Sequence, residues 1–286
     1  MTITTSARAG LSPARPPDRA RNIRGVPIVA TRRLLLSVRS PRSLLIPVLN
    51  PVLFALVLAP ALASTIAAPG GQRTYMTYLA LATVGLLIPL NSLFSGIGVV
   101  VDRQQGALRE LLVAPIRRAS IVVGNLVAVI ALTALQVVVL IVLSAARGAT
   151  YSGGVHALWF VASALVFTVL MYSVAEILAV RLQSPEEYTG ALPVVAIVPF
   201  FFAGSLFPIT ALPTGLEAIA KVLPLTHALA LFRYGLTPAE GAHSLRDIWG
   251  ISSVPVMAVL SMAVVLGFAV LSLGAAVRLF SRAGRA

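Results

Sequence analysis

The sequence predicts an all-α integral membrane protein, and three observations lead to that class: the composition, the long apolar stretches and the placement of the arginines. Of 286 residues, 58% are hydrophobic and only 11% are charged, and the mean hydropathy is +0.95. Soluble domains are about 45–50% apolar and about 25% charged. A soluble fold of this length has too little polar surface to cover such a chain, so lipid must cover much of it.

Six stretches have the length and apolarity of a membrane-crossing helix, which needs roughly 20 residues. They are residues 44–67, 77–101, 120–145, 156–180, 190–207 and 252–279. We expect them to form one six-span domain over residues 27–286. Residues 1–26 are basic and rich in proline, serine and threonine, which is typical of a disordered cytoplasmic tail.

The first helix is expected before the first span, on the cytoplasmic membrane surface. Pro27 suits a first helical position, and Pro41 marks the stop. Ile28 and Leu35 share one apolar face with Thr31 and Val38. Arginines flank that face, as in helices that lie in the plane of a membrane.

The basic residues support six spans and set their direction. Seventeen of the 22 lie before the first span, between the second and third, after the fourth, or after the sixth. Because basic loops stay on the cytoplasmic side, this asymmetry predicts a multi-pass plasma-membrane protein with both termini in the cytoplasm. A sequence pI near 11.5 also suits a nucleic-acid binder, but the distribution of the arginines favours the membrane reading.

Several kinds of chemistry are excluded by the residues themselves. The chain has no cysteine, and its three histidines are far apart in sequence. Lys221 is the only lysine and has no glycine-rich phosphate-binding loop before it, so the chain carries no P-loop. We therefore predict that it is not an enzyme and binds no cofactor, and that any ATP hydrolysis belongs to another polypeptide.

A cytoplasmic segment between the second and third spans has the pattern of a short amphipathic helix. Leu108, Leu111 and Leu112 fall at i, i+3 and i+4, on one helical face, and Pro115 ends the helix. The apolar stripe needs a partner. The pattern alone leaves this open as either the lipid surface or a groove in another protein.

A second distinctive segment follows the fifth span. It begins Phe-Phe-Phe-Ala-Gly-Ser-Leu-Phe-Pro over residues 200–208 and continues through Pro213, Pro224 and Arg233. Between the two later prolines, Thr214 and Glu217 have the spacing of a helix-capping box. The helix that they would start is too short to span, so we expect it at the external leaflet.

Both segments resemble signatures of the ABC type-2 transporter permease family. The first is similar to the coupling-helix pattern of a polar run, Gly-Thr-Leu-Glu, two leucines and a proline. Here Ala107 stands where threonine is usual and Arg109 where glutamate is usual. The second is similar to the family's aromatic run, glycine, Phe-Pro, Leu-Pro, Pro-Leu-Thr and following arginine. The resemblance extends from about residue 27 to the C-terminus and looks closest to daunorubicin-resistance-type drug export permeases.

The resemblance implies the membrane-spanning subunit of an ATP-driven exporter for a lipophilic or amphipathic substrate, such as a drug, lipid or glycolipid. The implied partners are a cytoplasmic ABC ATPase dimer, which holds ATP and Mg²⁺, and a second permease subunit, identical or similar. The implied ATPase contact comprises Arg103, Gln104, Gln105, Gly106, Leu108, Arg109, Glu110, Leu111, Leu112 and Pro115. The implied external gate, with re-entrant helices, comprises Phe200, Phe201, Phe202, Gly204, Phe207, Pro208, Pro213, Pro224 and Arg233.

Glu176 is an acidic residue well inside a predicted span, where ionisable groups are costly and often functional. It has two readings: a structural partner of the nearby Arg181, or part of a substrate pathway. An intramembrane acid is also what an ion- or proton-coupled secondary transporter needs. That class is the alternative to the ATP-driven exporter.

Overall fold

The computed structural model describes residues 25–39, 49, 53–66, 71–104, 118–152, 154–182 and 184–283, and every regular element in these ranges is a helix. The long helices are α3 (Gln72–Gln104), α4 (Arg118–Ala146), α5 (Ala157–Arg181) and α11 (Val254–Ala283). The shorter ones are α1 (Gly25–Arg39), α2 (Ala59–Ile66), α6 (Pro185–Leu192), α7 (Val198–Phe202), α8 (Thr214–Val222), α9 (Pro224–Leu236) and α10 (Pro238–Trp249). Wider π-helical turns, Phe54–Leu58 and Pro193–Ile197, precede α2 and α7.

Four of the six predicted spans coincide with helices that are long and apolar enough to cross a membrane. They are Gln72–Val101, Ser120–Ala146, Gly154–Arg181 and Val254–Leu279. A fifth crossing is present if α8 and α9, which meet at a 76° bend, count as one broken span. The described residues therefore supply four or five spans, and the count of six stays a prediction.

The other two predicted spans do not coincide with long helices among the described residues, and the bounds of their helices differ from the prediction. In the first, the apolar helix covers Leu56–Thr65, and residues 44–48, 50–52 and 67 lie outside the described ranges. In the fifth, the helical run begins earlier than predicted, at Pro185, and stops at Phe202. Its last five predicted residues, 203–207, form a turn instead, because Gly204 has a backbone angle that a helix excludes.

Helix α9 forms the centre of the molecule. All its residues from Leu225 to Gly235 are buried. The Phe232 ring packs edge-on against the rings of Phe160 and Phe167 of α5, at centroid distances of 5.5 and 6.4 Å. The sequence pattern predicted only a surface helix in this region. The structure adds a second helix that turns inward from it.

The start of α8 differs from the predicted capping box. Pro213, not Thr214, occupies the N-cap position, and no side chain caps the helix. Thr214 is already the first helical residue, so its hydroxyl is one position too late to serve as the cap. The Glu217 carboxylate instead lies 2.8 Å from the Lys221 ammonium, one helical turn later.

Helix α1 has its predicted apolar face exposed, with Ile28 62% and Leu35 47% accessible. A second face, carrying the buried Val29, packs on the start of α4. Helices α1 and α4 approach closely because residue 124 of α4 is glycine. A Cβ atom at this position would lie 2.7 Å from the Cβ atom of Val29. The helix therefore lies against the protein on one face and leaves the predicted stripe free for a membrane surface.

The bundle has two ends, which we name by the arginine that each contains. At the Arg103 end, the last turn of α3 meets the last turn of α5. At the Arg233 end, the first turns of α3 meet residues 203–206 and α9. A single helix, α3, therefore runs the full height of the bundle.

Candidate gate and coupling elements

The Arg103 end contains the start of the predicted ATPase-binding segment. The Arg103 guanidinium donates hydrogen bonds to the carbonyl oxygens of Ala179 and Leu182, at 3.1 and 2.5 Å. A helix leaves its last carbonyls without partners inside the helix, so a cation at this point both satisfies and stabilises the end of α5. The segment therefore leaves α3 from a point that is anchored to α5.

Of the other predicted contact residues, Gln104 is the exposed last residue of α3. The rest lie outside the described residues: Gln105, Gly106, Leu108, Arg109, Glu110, Leu111, Leu112 and Pro115. The amphipathic helix predicted for them stays a prediction.

The Arg233 end contains a latch, which we define as the half-buried Tyr78 and the buried Gly204 and Arg233. The Gly204 carbonyl accepts a hydrogen bond from the Tyr78 hydroxyl at 2.7 Å and one from the Arg233 guanidinium at 2.8 Å. The guanidinium carbon also lies 3.6 Å from the centre of the Tyr78 ring, a cation–π contact. One carbonyl thus joins α3, α9 and the turn after α7.

The turn that presents this carbonyl depends on glycine. Gly204 has a φ of +76°, which side chains disfavour, and a Cβ atom there would lie 2.8 Å from Cγ2 of Ile209. Tyr75, one turn before Tyr78, donates a second hydrogen bond to the Leu206 carbonyl at 3.1 Å. The first turns of α3 therefore hold the turn after α7 at two points.

The remaining predicted gate residues do not form one cluster. Phe200 is buried in the main core, whereas Phe201 and Phe207 are 51% and 40% exposed. Phe202 ends α7, and Pro208 lines a cavity beside the latch. Pro213 occupies the N-cap position of α8 without capping it, and Pro224 is the first residue of α9. The prolines and phenylalanines thus shape the region, while Gly204 and Arg233 carry its polar contacts.

Tyr78, Tyr75 and helix α10 were not predicted from the sequence. The two tyrosines are one turn apart at the start of a span, which is a position where aromatic residues are enriched in membrane proteins. That signal was available in the sequence. Pro238 marks a possible start for α10, but no local pattern showed that this helix packs on α9 and α11.

The latch borders a cavity of about 190 Å³ that α10 closes from one side. Tyr78, Gly204, Thr226 and Arg233 line it from the bundle, and four polar residues of α10 line the opposite side. Those four are Glu240, His243, Ser244 and Asp247. Burial raises the pKa of the Asp247 carboxyl above its ordinary value, and the charge of His243 opposes that rise.

The close fit of α10 on α9 depends on Gly241. A Cβ atom at this position would lie 2.0 Å from the backbone nitrogen of Tyr234, a distance that no side chain can occupy. The Trp249 indole donates to the Ser261 hydroxyl at 2.8 Å, and that hydroxyl lies 3.2 Å from Nδ1 of His227. These contacts fix α10 to α9 and α11.

Inside the bundle, polar side chains join the long helices. The Asn91 amide of α3 donates to the side chains of Gln136 and Thr133 of α4. Glu176 of α5 is 3% exposed and lies near Tyr188. The Tyr188 hydroxyl itself donates to the Leu93 carbonyl at 2.9 Å.

Comparison with known proteins agrees with this architecture. The model of the family described as ABC-2 type transporter matches residues 25–237, which span α1 to the end of α9. The protein ycf38 of Porphyra purpurea, whose name describes it as a transport permease, is 28% identical over 212 residues, 71% of each chain. The ycf38 protein of Pyropia yezoensis, named in the same way, is 25% identical over 219 residues, 74% of each chain. Because the family model covers well over half of the chain, this multi-pass membrane protein belongs to the ABC-2 transporter family.

Proposed function

We propose that the chain is the membrane-spanning permease subunit of an ATP-driven exporter. Membership of the ABC-2 family supports a transport permease that works with an ATPase partner. One structural observation carries the mechanism: α3 is a single 33-residue helix with the predicted ATPase-binding segment at one end and the latch at the other. At 1.5 Å per residue it is about 50 Å long, enough to connect the two faces of a membrane.

In the proposed mechanism, closure of the ATPase dimer displaces the segment after Gln104. Because Arg103 attaches this point to α5, the displacement tilts α3 together with α5. The opposite end of α3 then withdraws Tyr78 from the Gly204 carbonyl and from Arg233. The turn after α7 is released, and the path opens outward.

The free energy needed to break the latch contacts is small enough for a reversible gate. A neutral hydrogen bond contributes about 0.5–1.5 kcal/mol net, and one to a charged group about 1.5–3 kcal/mol. When α3 moves away, the bond of Tyr78 and its cation–π contact are lost, while Arg233 keeps its own bond to Gly204. The cost of opening is therefore a few kcal/mol, which a conformational cycle driven by ATP can supply.

The proposed cargo is lipophilic or amphipathic: a drug, lipid or glycolipid, with efflux across the plasma membrane. The long helices are almost free of charge, and exposed apolar side chains such as Val138 and Leu271 cover α4 and α11. In the proposed assembly two permease subunits, identical or similar, enclose the path. Two cytoplasmic ATPases hold the ATP and Mg²⁺, and both termini of the permease are cytoplasmic.

The test is co-purification with a candidate ABC ATPase, with and without Leu111→Asp plus Leu112→Asp. We expect the intact chain to co-elute with the ATPase and to change its rate of ATP hydrolysis. The double change puts two charges into the apolar stripe, so it should release the ATPase while the permease still elutes as a folded protein. A matched control is Val155→Asp plus Val222→Asp, two exposed positions at the Arg233 end, which should leave the complex intact. Equal binding by both double variants would contradict the proposed contact.

The second candidate is a proton- or ion-coupled transporter, which the burial of Glu176 within α5 favours. The two functions separate in transport assays on two sets of vesicles: one contains the chain alone and is assayed for proton uptake, and the other contains the chain with a candidate ABC ATPase and ATP and is assayed for export of a lipophilic substrate. Transport without an ATPase, abolished by Glu176→Gln, establishes the second function. Transport that requires the ATPase and survives Glu176→Gln establishes the first.

A further inference from the structure

Helix α1 has one side that packs on the protein and one side that is exposed. Val29 is buried and packs on Gly124 of α4. Ile28, Arg32 and Leu35 are exposed, at spacings of four and then three residues. Residues at these spacings lie on one side of a helix. The exposed side therefore carries a cation between two apolar side chains.

The contact with Gly124 indicates how deep α1 lies in the membrane. The span of α4 is Ser120–Ala146, which is 27 residues and about 40 Å long. The hydrocarbon core of a bilayer is about 30 Å thick, so a centred span extends about 5 Å beyond it on each side. Gly124 is about 6 Å from the end of the span, where hydrocarbon meets headgroups. Val29 and the neighbouring Ile28 therefore lie at the depth of an interfacial helix.

The charges on this side of the bundle favour one class of lipid. A guanidinium at headgroup depth, such as that of Arg32, can donate paired hydrogen bonds to a lipid phosphate. The segments predicted at the Arg103 end contain seventeen of the 22 basic residues and only five of the nine acidic ones. Those five are Asp18, Asp102, Glu110, Glu186 and Glu187. A basic surface next to a bilayer attracts anionic headgroups over zwitterionic ones.

We propose that the exposed side of α1 is a binding surface for anionic phospholipid. Arg32 binds the headgroup phosphate, and Ile28 and Leu35 contact the upper part of the acyl chains. Helix α1 packs on the start of α4, which follows the predicted ATPase-binding segment. A bound lipid therefore holds the point where that segment returns to the membrane. The surface does not depend on an ATPase, because the chain alone provides all of its groups.

Lipid contact is measured on the purified full chain in phosphatidylcholine nanodiscs. The chain has no cysteine, so Thr31→Cys supplies a single thiol for a bimane fluorophore, at an exposed position of α1. A small share of the lipid, either phosphatidylglycerol or phosphatidylcholine, carries a nitroxide quencher high on its acyl chain. We expect both lipids to quench the probe. Phosphatidylglycerol should reach the same quenching at a mole fraction about five times lower, the effect of one arginine beside anionic lipid.

The decisive variant for the headgroup contact is Arg32→Gln, which removes the charge and should make the two lipids quench equally. Arg32→Lys keeps the charge and should retain most of the preference. The matched control is Arg73→Gln, an exposed arginine at the Arg233 end, which should leave the preference unchanged. Raising the salt from about 0.1 M to about 1 M shortens the screening length from about 10 Å to about 3 Å and should reduce the preference.

The acyl contact is tested separately. Ile28→Asn plus Leu35→Asn makes the exposed side polar, so quenching by both lipids should weaken together. The control is Val155→Asn plus Val222→Asn, two exposed positions at the Arg233 end, which should leave quenching of the probe unchanged.

Equal quenching by the two lipids with Arg32 in place overturns the proposal, and so does a preference that Arg32→Gln and Arg73→Gln leave equally strong. The other candidate cover for this side of α1 is the ATPase. A probe at residue 31 that no lipid quenches, but whose emission shifts when a candidate ATPase is added, assigns the surface to that protein and overturns the proposal. The lipid measurements use the chain alone, so failure of the proposed exporter leaves them unaffected.

Discussion

At the scale of single residues, Gly204 has the strictest requirement. Gly204→Ala adds a Cβ atom to a residue at φ +76° and brings it within 2.8 Å of Ile209. Backbone strain of this kind costs about 1–2 kcal/mol, and displacement of Ile209 adds to it. We expect a lower unfolding temperature in a thermal melt of the purified protein. Gly215→Ala, in α8 with open space around it, is the control and should be neutral or stabilising by up to about 1 kcal/mol.

Asp247 gives a prediction on pH. Burial raises the pKa of its carboxyl, so the folded state holds the proton more tightly than the unfolded chain. The resulting stability is fully present below the ordinary aspartate pKa of about 3.9 and is lost as the pH rises through the folded value. Asp247→Asn does not titrate, so its unfolding temperature relative to the wild type should rise between about pH 3.5 and pH 7. Parallel curves for the two proteins would show that the carboxyl is not affected by burial.

At the scale of elements, the contact of α3 with α4 depends on an amide pair. Asn91→Leu leaves the buried Gln136 side chain without its partner, and we expect a loss of about 1–2 kcal/mol. Gln136→Leu should cost a similar amount. The double variant removes both polar groups, so it should be more stable than the sum of the two single losses predicts. Thermal melts of the four proteins form a double-mutant cycle, and strict additivity would argue against a coupled pair.

In the short helices, the local sequence sets where a helix begins, whereas tertiary packing sets which helix is buried. Helices α6, α9 and α10 each begin with a proline, which is favoured at the first helical position. The sequence therefore indicates where these three helices begin. Ser184 accepts a hydrogen bond from the Glu187 amide and caps α6, again by local chemistry. In contrast, the burial of α9 depends on contacts with α5 and α11, which no local pattern encodes.

At the scale of the whole molecule, the arginine distribution predicts which end faces the cytoplasm. The chain has no cysteine, so single cysteines can be introduced without a background. Val155→Cys, 82% exposed at the Arg233 end, should react with a membrane-impermeant maleimide in intact cells. Gln104→Cys, exposed at the other end, should react only after lysis. The reverse pattern would contradict the cytoplasmic placement of the termini.

The sequence by itself determined that the chain belongs in a membrane and where four of its long helices lie. The thickness of the bilayer sets the length of each apolar run, and it does so for each segment independently of the others. It also singled out Gly204 and Arg233 through the resemblance of their segment to a known family. Only the tertiary structure decided that the two meet, that the Tyr78 hydroxyl binds the Gly204 carbonyl across 126 positions of sequence, and that α10 borders a cavity beside them. The physical reason is that these contacts join distant parts of the chain, and a helix pattern shows which face is apolar but not which helix will cover it.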